Sequence, residues 1–145
     1  MKKQIEKINI EEIIPMVNKS PFYKTISMTL LEINKDGSLF KIKSDINKHH
    51  NYRGIMHGGV IAALVDSSCG ASLAPYLKEG EITATISLHI DYIAATIDGD
   101  LFGRGRMIHR GRQLARAEAV ITNENEKLIA KGYASFMITS SRLKK

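Results

Sequence analysis

The chain has 145 residues, 43% hydrophobic and 25% charged, with a single cysteine, the balance of one globular domain rather than a disordered tail, a collagen-like repeat or a two-domain enzyme. A chain of this size buries roughly two-thirds of its unfolded surface, so its core needs neither metal nor disulfide; Cys69 has no internal partner, and no apolar run is long enough to span a bilayer. Its 21 Lys+Arg against 15 Asp+Glu leave a net charge of +6, which admits a polyanionic partner.

The opening Met1-Lys2-Lys3-Gln4-Ile5-Glu6 mixes both charge signs without an apolar signal core, which predicts a cytoplasmic protein. Ile5, Ile8, Ile13, Ile14 and Val17 recur at helical spacing, with Pro15 spoiling the register, and predict a short helix over about 4–17. After Ser20-Pro21-Phe22, Ile26 to Ile33 alternates as a strand does, turns at Asn34-Lys35-Asp36-Gly37 and continues through Ser38 to Ile46 as a hairpin. His57-Gly58-Gly59 then opens Val60 to Leu73, an Ala- and Leu-rich helix with hardly a polar side, which needs cover on most of its faces.

Strand-like runs follow at Thr83 to Tyr92, Asp100 to Ile108, Gln113 to Thr122 and Leu128 to Thr139. Their connections are too short for parallel pairing, so the expected class is α+β, a curved antiparallel sheet wrapped around one long central helix. The whole of 1–145 reads as a single domain, with its core at about 20–139 and a basic C-terminal tail.

The segment from His49 to Asp66 is the densest in chemical features. A helix start leaves backbone N–H groups unpaired and carries partial positive charge, so the Gly58 N–H can hold a carbonyl oxygen that becomes negative during reaction. Glycine at 58 and 59 lets a substrate approach closely, although the same pair also makes an ordinary loop-to-helix turn. Asp66 interrupts the apolar run Val60 to Val65, where an unpaired carboxylate is costly; it is either a structural group bonded to a neighbouring strand or a base or nucleophile.

Gly58 and Asp66 are eight residues apart, about 12 Å along a helix rising about 1.5 Å per residue, whereas a base and an oxyanion donor must both sit within about 3 Å of neighbouring substrate atoms. If both act, Gly58 of one subunit faces Asp66 of another across a two-fold axis. Asn51 offers its amide to a carbonyl or a water, or serves as a turn residue before Gly54. His57 meets a leaving group or caps the loop.

The histidines lack zinc-site spacing, and no nucleophile elbow, P-loop or dinucleotide fingerprint occurs, so neither metal nor cofactor is expected. Cys69 reads as a packing residue. Arg104, Arg106, Arg110, Arg112 and Arg116 make up five of the seven arginines; crowded together, they suit phosphate oxygens or line a solvated strand face.

The motif Asn51-x-x-Gly54-x-x-His57-Gly58-Gly59, with Asp66 eight residues past Gly58, resembles the hotdog-fold acyl-CoA thioesterases. The likeness is to the PaaI-like (phenylacetate-pathway) group of the 4-hydroxybenzoyl-CoA thioesterase superfamily, and it covers about residues 20–138. Ser20-Pro21-Phe22 resembles that family's entry to its first strand, Thr85 to Tyr92 its strand after the helix, and Arg110-Gly111-Arg112 the turn before its penultimate strand. Ile26 departs from the pattern, standing where the family commonly has glycine.

The resemblance implies the hotdog fold and a thioesterase in which the Gly58 N–H polarises the thioester carbonyl while Asn51 positions substrate or water. Asp66 of the opposite subunit would be general base or nucleophile, Thr85 would orient the water, and His57 would lie near the departing sulfur. Coenzyme A would bind at the interface of a homodimer or homotetramer. Gly59 would lie against it, with Arg104, Arg106, Arg110, Gly111 and Arg112 as candidates for its phosphates.

The implied substrate is an aryl-, phenylacetyl- or medium-chain acyl-CoA. Competing readings are a hotdog hydratase or dehydratase, whose His-Phe-Pro run is absent, and a non-catalytic acyl-CoA sensor. A nucleic-acid binder is a third, but the arginines lack interleaved stacking aromatics, so no specific nucleic acid is expected.

Overall fold

The computed structural model describes residues 9–140, which form helices α1 (Ile10–Val17), α2 (Pro21–Thr25), α3 (Ile46–His49) and α4 (Gly58–Leu73), a 3-10 turn at Ala74–Tyr76, and six strands. The strands are β1 (Met28–Asn34), β2 (Gly37–Ile42), β3 (Glu81–Tyr92), β4 (Leu101–Arg110), β5 (Leu114–Asn123) and β6 (Leu128–Ser140). They form one sheet in the order β1-β2-β4-β5-β6-β3, with every pair antiparallel. The sheet wraps α4, so the expected hotdog architecture is the one observed.

Small residues on the inner face of the sheet set how closely α4 packs. Along β4 and β5 the inward positions include Gly103, Gly105, Ala115, Ala117 and Ala119, all buried. A Cβ at Gly105 would lie 1.9 Å from the Ser68 carbonyl oxygen, and one at Gly132 2.4 Å from Val65. The backbone of α4 therefore rests almost directly on the strands. Ser38 Oγ donates to the same Ser68 carbonyl at 2.7 Å, pinning the helix to β2.

Several expected boundaries shift. The first helix is seen from Ile10, capped by Asn9, and residues 4–8 of the expected 4–17 span lie outside the described residues, as does the end of the basic tail. The family-like Ser20-Pro21-Phe22 does not enter a strand directly: Ser20 caps α2, and Pro21 at its first position suits a helix start. Strand β1 consequently begins at Met28, after Ser27 with its φ of 54°. Strand β2 ends at Ile42 rather than at 46, because Asp45 Oδ1 accepts from Asn47 N–H and caps α3.

Within one chain, the cover that α4 needs is supplied on one side only. Ile61, Leu64, Val65, Ser68, Cys69, Ser72 and Leu73 are buried, but Ala62, Ala63, Asp66, Ser67 and Gly70 are only half-buried. A single sheet can cover one side of a helix, and the other flank stays open.

The two sheet edges differ. At β1, Asn18 at the end of α1 donates to the Leu30 carbonyl at 3.0 Å and accepts from the Leu30 N–H at 2.8 Å, so its amide occupies the backbone groups a further strand would use. Strand β3, twelve residues long, pairs among the described residues with β6 alone. Ile82, Ile86, Leu88 and Tyr92 along it are exposed.

Candidate active site

The start of α4 is built by the loop before it. Asn51 Oδ1 accepts from the Arg53 N–H at 2.9 Å, and the Gly54 N–H closes the turn onto the Asn51 carbonyl at 3.0 Å. Gly54 has a φ of 76°, a left-handed conformation that favours glycine. Asn51 is thus the turn residue at its oxygen, while its NH2 donates to no atom of the described chain.

Buried His49 anchors the loop from below. Its Nδ1 accepts from the Asp45 N–H at 3.0 Å, its Nε2 meets the Ile26 carbonyl at 2.8 Å, and its own carbonyl accepts from the His57 N–H at 2.7 Å. The Ile26 that departs from the family pattern therefore serves as a backbone acceptor, a role that any residue type could fill.

His57 is the N-cap of α4: its Nδ1 accepts from the Gly59 N–H at 2.8 Å. The consequence is selective. Gly59 is occupied, the Gly58 N–H has no acceptor among the described residues, and the His57 proton is placed on Nε2, pointing away from the cap.

Tyr92, which the motif analysis did not single out, closes over this point. Its Oη donates to the Gly58 carbonyl at 2.8 Å, and a Cβ at Gly58 would stand 3.3 Å from its ring. Its only sequence signal was its place at the end of the strand after the helix.

Asp66 lies two turns along α4 on the open flank. Thr85 Oγ1 donates to Asp66 Oδ1 at 2.8 Å, so the two residues meet although they are 19 apart in sequence. The alternation of β3 turns Thr85 toward the helix, next to Phe136 of β6. Tyr23 of α2 forms a neighbouring wall: burial pushes its hydroxyl pKa up, opposed by a hydrogen bond with Ser67, while the charge of Asp66 pushes it up further. Burial, then the charges of Asp66 and Glu118, push the Cys69 thiol up to about 12, which keeps it protonated and unreactive.

The helix between Gly58 and Asp66 is uninterrupted, so about 12 Å separates them, and one chain does not bring the uncommitted N–H and the carboxylate to one substrate atom.

The arginines are dispersed. Arg104 and Arg106 alternate with inward Gly103 and Gly105 and so occupy the sheet face away from α4. Arg104 Nη1 donates to Thr122 Oγ1 at 3.3 Å, and Arg106 Nε donates to Glu118 at 3.1 Å. Arg110 is committed to Glu81 and to the Gly111 carbonyl; its hydrogen bond holds the Glu81 carboxyl below the usual carboxylate value. The Gly111 N–H closes the β4–β5 turn on the Leu114 carbonyl at 2.8 Å, a structural role. Arg112 is exposed and without a partner among the described residues. Among the described residues the arginines do not converge on one point, because strand alternation and two ion pairs separate them.

Comparison with known proteins gives a consistent picture. The family described as "Thioesterase superfamily" matches residues 53–130. The mouse protein "Acyl-coenzyme A thioesterase 13" is 27% identical over 128 residues, 86% of this chain and 90% of its own length. The Escherichia coli "Medium/long-chain acyl-CoA thioesterase YigI" is 25% identical over 132 residues, 81% of this chain and 85% of its own. Among solved structures, zebra fish "Thioesterase Superfamily Member 2" superposes with a TM-score of 0.78 at 26% identity, covering 92% of this chain and 100% of that one.

Proposed function

The chain belongs to the thioesterase superfamily, and from that premise we propose that it hydrolyses an acyl-CoA thioester to the free acid and coenzyme A. The observation that carries this reading is the Thr85–Asp66 hydrogen bond on the open flank of a helix whose first N–H, at Gly58, is uncommitted. Together they supply a held carboxylate and an oxyanion donor, the two parts that hydrolysis of an activated acyl group requires. The names of the mouse and Escherichia coli relatives support the substrate class.

In the proposed mechanism the thioester carbonyl lies against the Gly58 N–H of one subunit and the Asp66 carboxylate of the other. Asp66 either takes a proton from water as that water attacks or attacks the carbonyl itself. Thr85 orients the carboxylate and its water. As the tetrahedral intermediate collapses, the C–S bond breaks and its electrons leave with the thiolate, which needs little acid assistance; the outward His57 Nε2–H and the Asn51 NH2 are donors placed near this event.

The reading assigns the chain to the PaaI-like group acting on aryl- or medium-chain acyl-CoA, with no metal or cofactor. The exposed β3 edge supports a homodimer formed by strand pairing, with dimers joining into tetramers. Arg112 is the arginine freest to meet the phosphates of coenzyme A. Arg104 and Arg106 would contribute only from the outer face, and Arg110 only by leaving Glu81.

Thiol release from a panel of aryl-, phenylacetyl- and medium-chain acyl-CoA thioesters, read for the parent and Asp66→Ala at matched folding and oligomeric state, tests this. Parent turnover that falls at least about 100-fold in the variant is expected. Binding of acyl-CoA without turnover of any thioester would replace it with the sensor or hydratase reading.

A further inference from the structure

The face of the sheet opposite α4 carries a feature the thioesterase reading does not use, a cavity of about 310 Å³ with Arg116, His89, Tyr133, Ser87, Ser135 and Ile108 among its lining residues. Strand register explains why these residues meet. Arg116 pairs with Ser135 on one side and His109 on the other, Ser135 pairs with Ser87, and His89 pairs with Tyr133.

Two irregularities make the hollow. Strand β3 is bulged between Thr85 and Ser87, and β4 between Met107 and His109. Both bulges fall at the rim, bending the strands and re-aiming the side chains that follow.

The charge in this hollow is unbalanced. Glu118, two residues from Arg116 on the same strand face, is taken by Arg106, and Asp91 is engaged by His89. The Arg116 guanidinium and the Tyr133 hydroxyl have no hydrogen-bond partner among the described residues. A free guanidinium beside hydroxyl donors presents the fork that a planar oxyanion accepts from. Apolar Ile108 supplies a wall, and the volume lies at the small end of ligand pockets.

We propose that this outer cavity binds a small organic carboxylate, its oxygens on Arg116 with Ser87, Ser135 and Tyr133 as further donors and its apolar body against Ile108. The proposal does not rest on thioester hydrolysis.

Calorimetric titration of the full chain with sodium benzoate, and separately with inorganic phosphate, tests it. Benzoate is expected to saturate one site per chain more tightly than phosphate. Arg116→Gln should weaken it at least about tenfold, the worth of a charged hydrogen bond, while Asp66→Asn leaves it unchanged. Should Arg116→Gln fail to fold, Ser87→Leu, which fills the hollow from β3, must give the same loss. Failure of benzoate to saturate, or equal binding by the Arg116 variant, overturns the proposal. Binding lost in Asp66→Asn but kept in Arg116→Gln also overturns it, by placing benzoate on the α4 flank. Phosphate binding more tightly than benzoate likewise overturns it, by making the hollow a site for an inorganic anion.

Discussion

A carboxylate with one oxygen held by Thr85 Oγ1 at 2.8 Å has a fixed rotation about its side-chain bond. Its other oxygen makes no side-chain hydrogen bond within the described chain and is left to face a substrate or a water. Thr85→Val keeps the shape of the side chain and removes only the hydroxyl, so the expected effect is a fall in kcat of about tenfold, the scale of one hydrogen bond to a charged group. KM should change little, because the hydroxyl touches Asp66 rather than the acyl group. Steady-state thiol release separates the two constants. An unchanged kcat would leave Thr85 a packing residue of β3, and a KM rise alone would make it a substrate contact.

Elements that follow one strong local signal were legible from the sequence. Helix α4 is observed at Gly58–Leu73, where the change from Gly58-Gly59 to an Ala- and Leu-rich run marked it, and β5 is observed at Leu114–Asn123, where a strand-like run was expected at Gln113 to Thr122. The Asn51–Gly54 turn, the helix start and Asp66 were legible for the same reason: each rests on residue types with few alternative uses. What was not legible depends on tertiary contact. That Tyr92 closes over the helix start and that Arg110 is drawn to Glu81 are consequences of contacts between residues far apart in the chain, while the choice of Gly59 over Gly58 by the His57 cap depends on a side-chain rotamer that residue type alone does not fix.

The glycines of β4 show the same dependence, since Gly103-Arg104-Gly105 lies within a run expected to be a strand, yet its residue types alone do not mark it as the seat of the helix. A methyl group at Gly105 would stand 1.9 Å from the Ser68 carbonyl oxygen, a backbone atom that no rotamer change can move. Gly105→Ala should therefore destabilise the fold by about 3 kcal/mol, the upper range for overpacking a core. Urea unfolding followed by circular dichroism measures it. A loss under about 0.5 kcal/mol, the ordinary range for a surface site, would show that α4 shifts freely over the sheet.

At the scale of the whole molecule, the open flank of α4 and the open edge of β3 adjoin, since Thr85 of that strand touches Asp66 of that helix. A second copy placed against β3 would extend the sheet and cover the flank in one step. The two-fold axis of such a dimer would set Gly58 of each chain toward Asp66 of the other. Every site would then draw one part from each subunit, and two different inactive variants would complement each other. Asp66→Asn removes the carboxylate, and Gly58→Val fills the approach to the free N–H against Tyr92. In a mixed dimer one site collects both defects and the other has neither. Random exchange of equal amounts makes half of the dimers mixed, so about a quarter of all sites should regain activity. The assay is thiol release after the two folded variants are unfolded and refolded together, compared with each refolded alone. Recovery near that fraction requires the shared site, whereas activity no higher than the average of the separate variants would place Gly58 and Asp66 in sites belonging to single chains and remove the dimer from the mechanism.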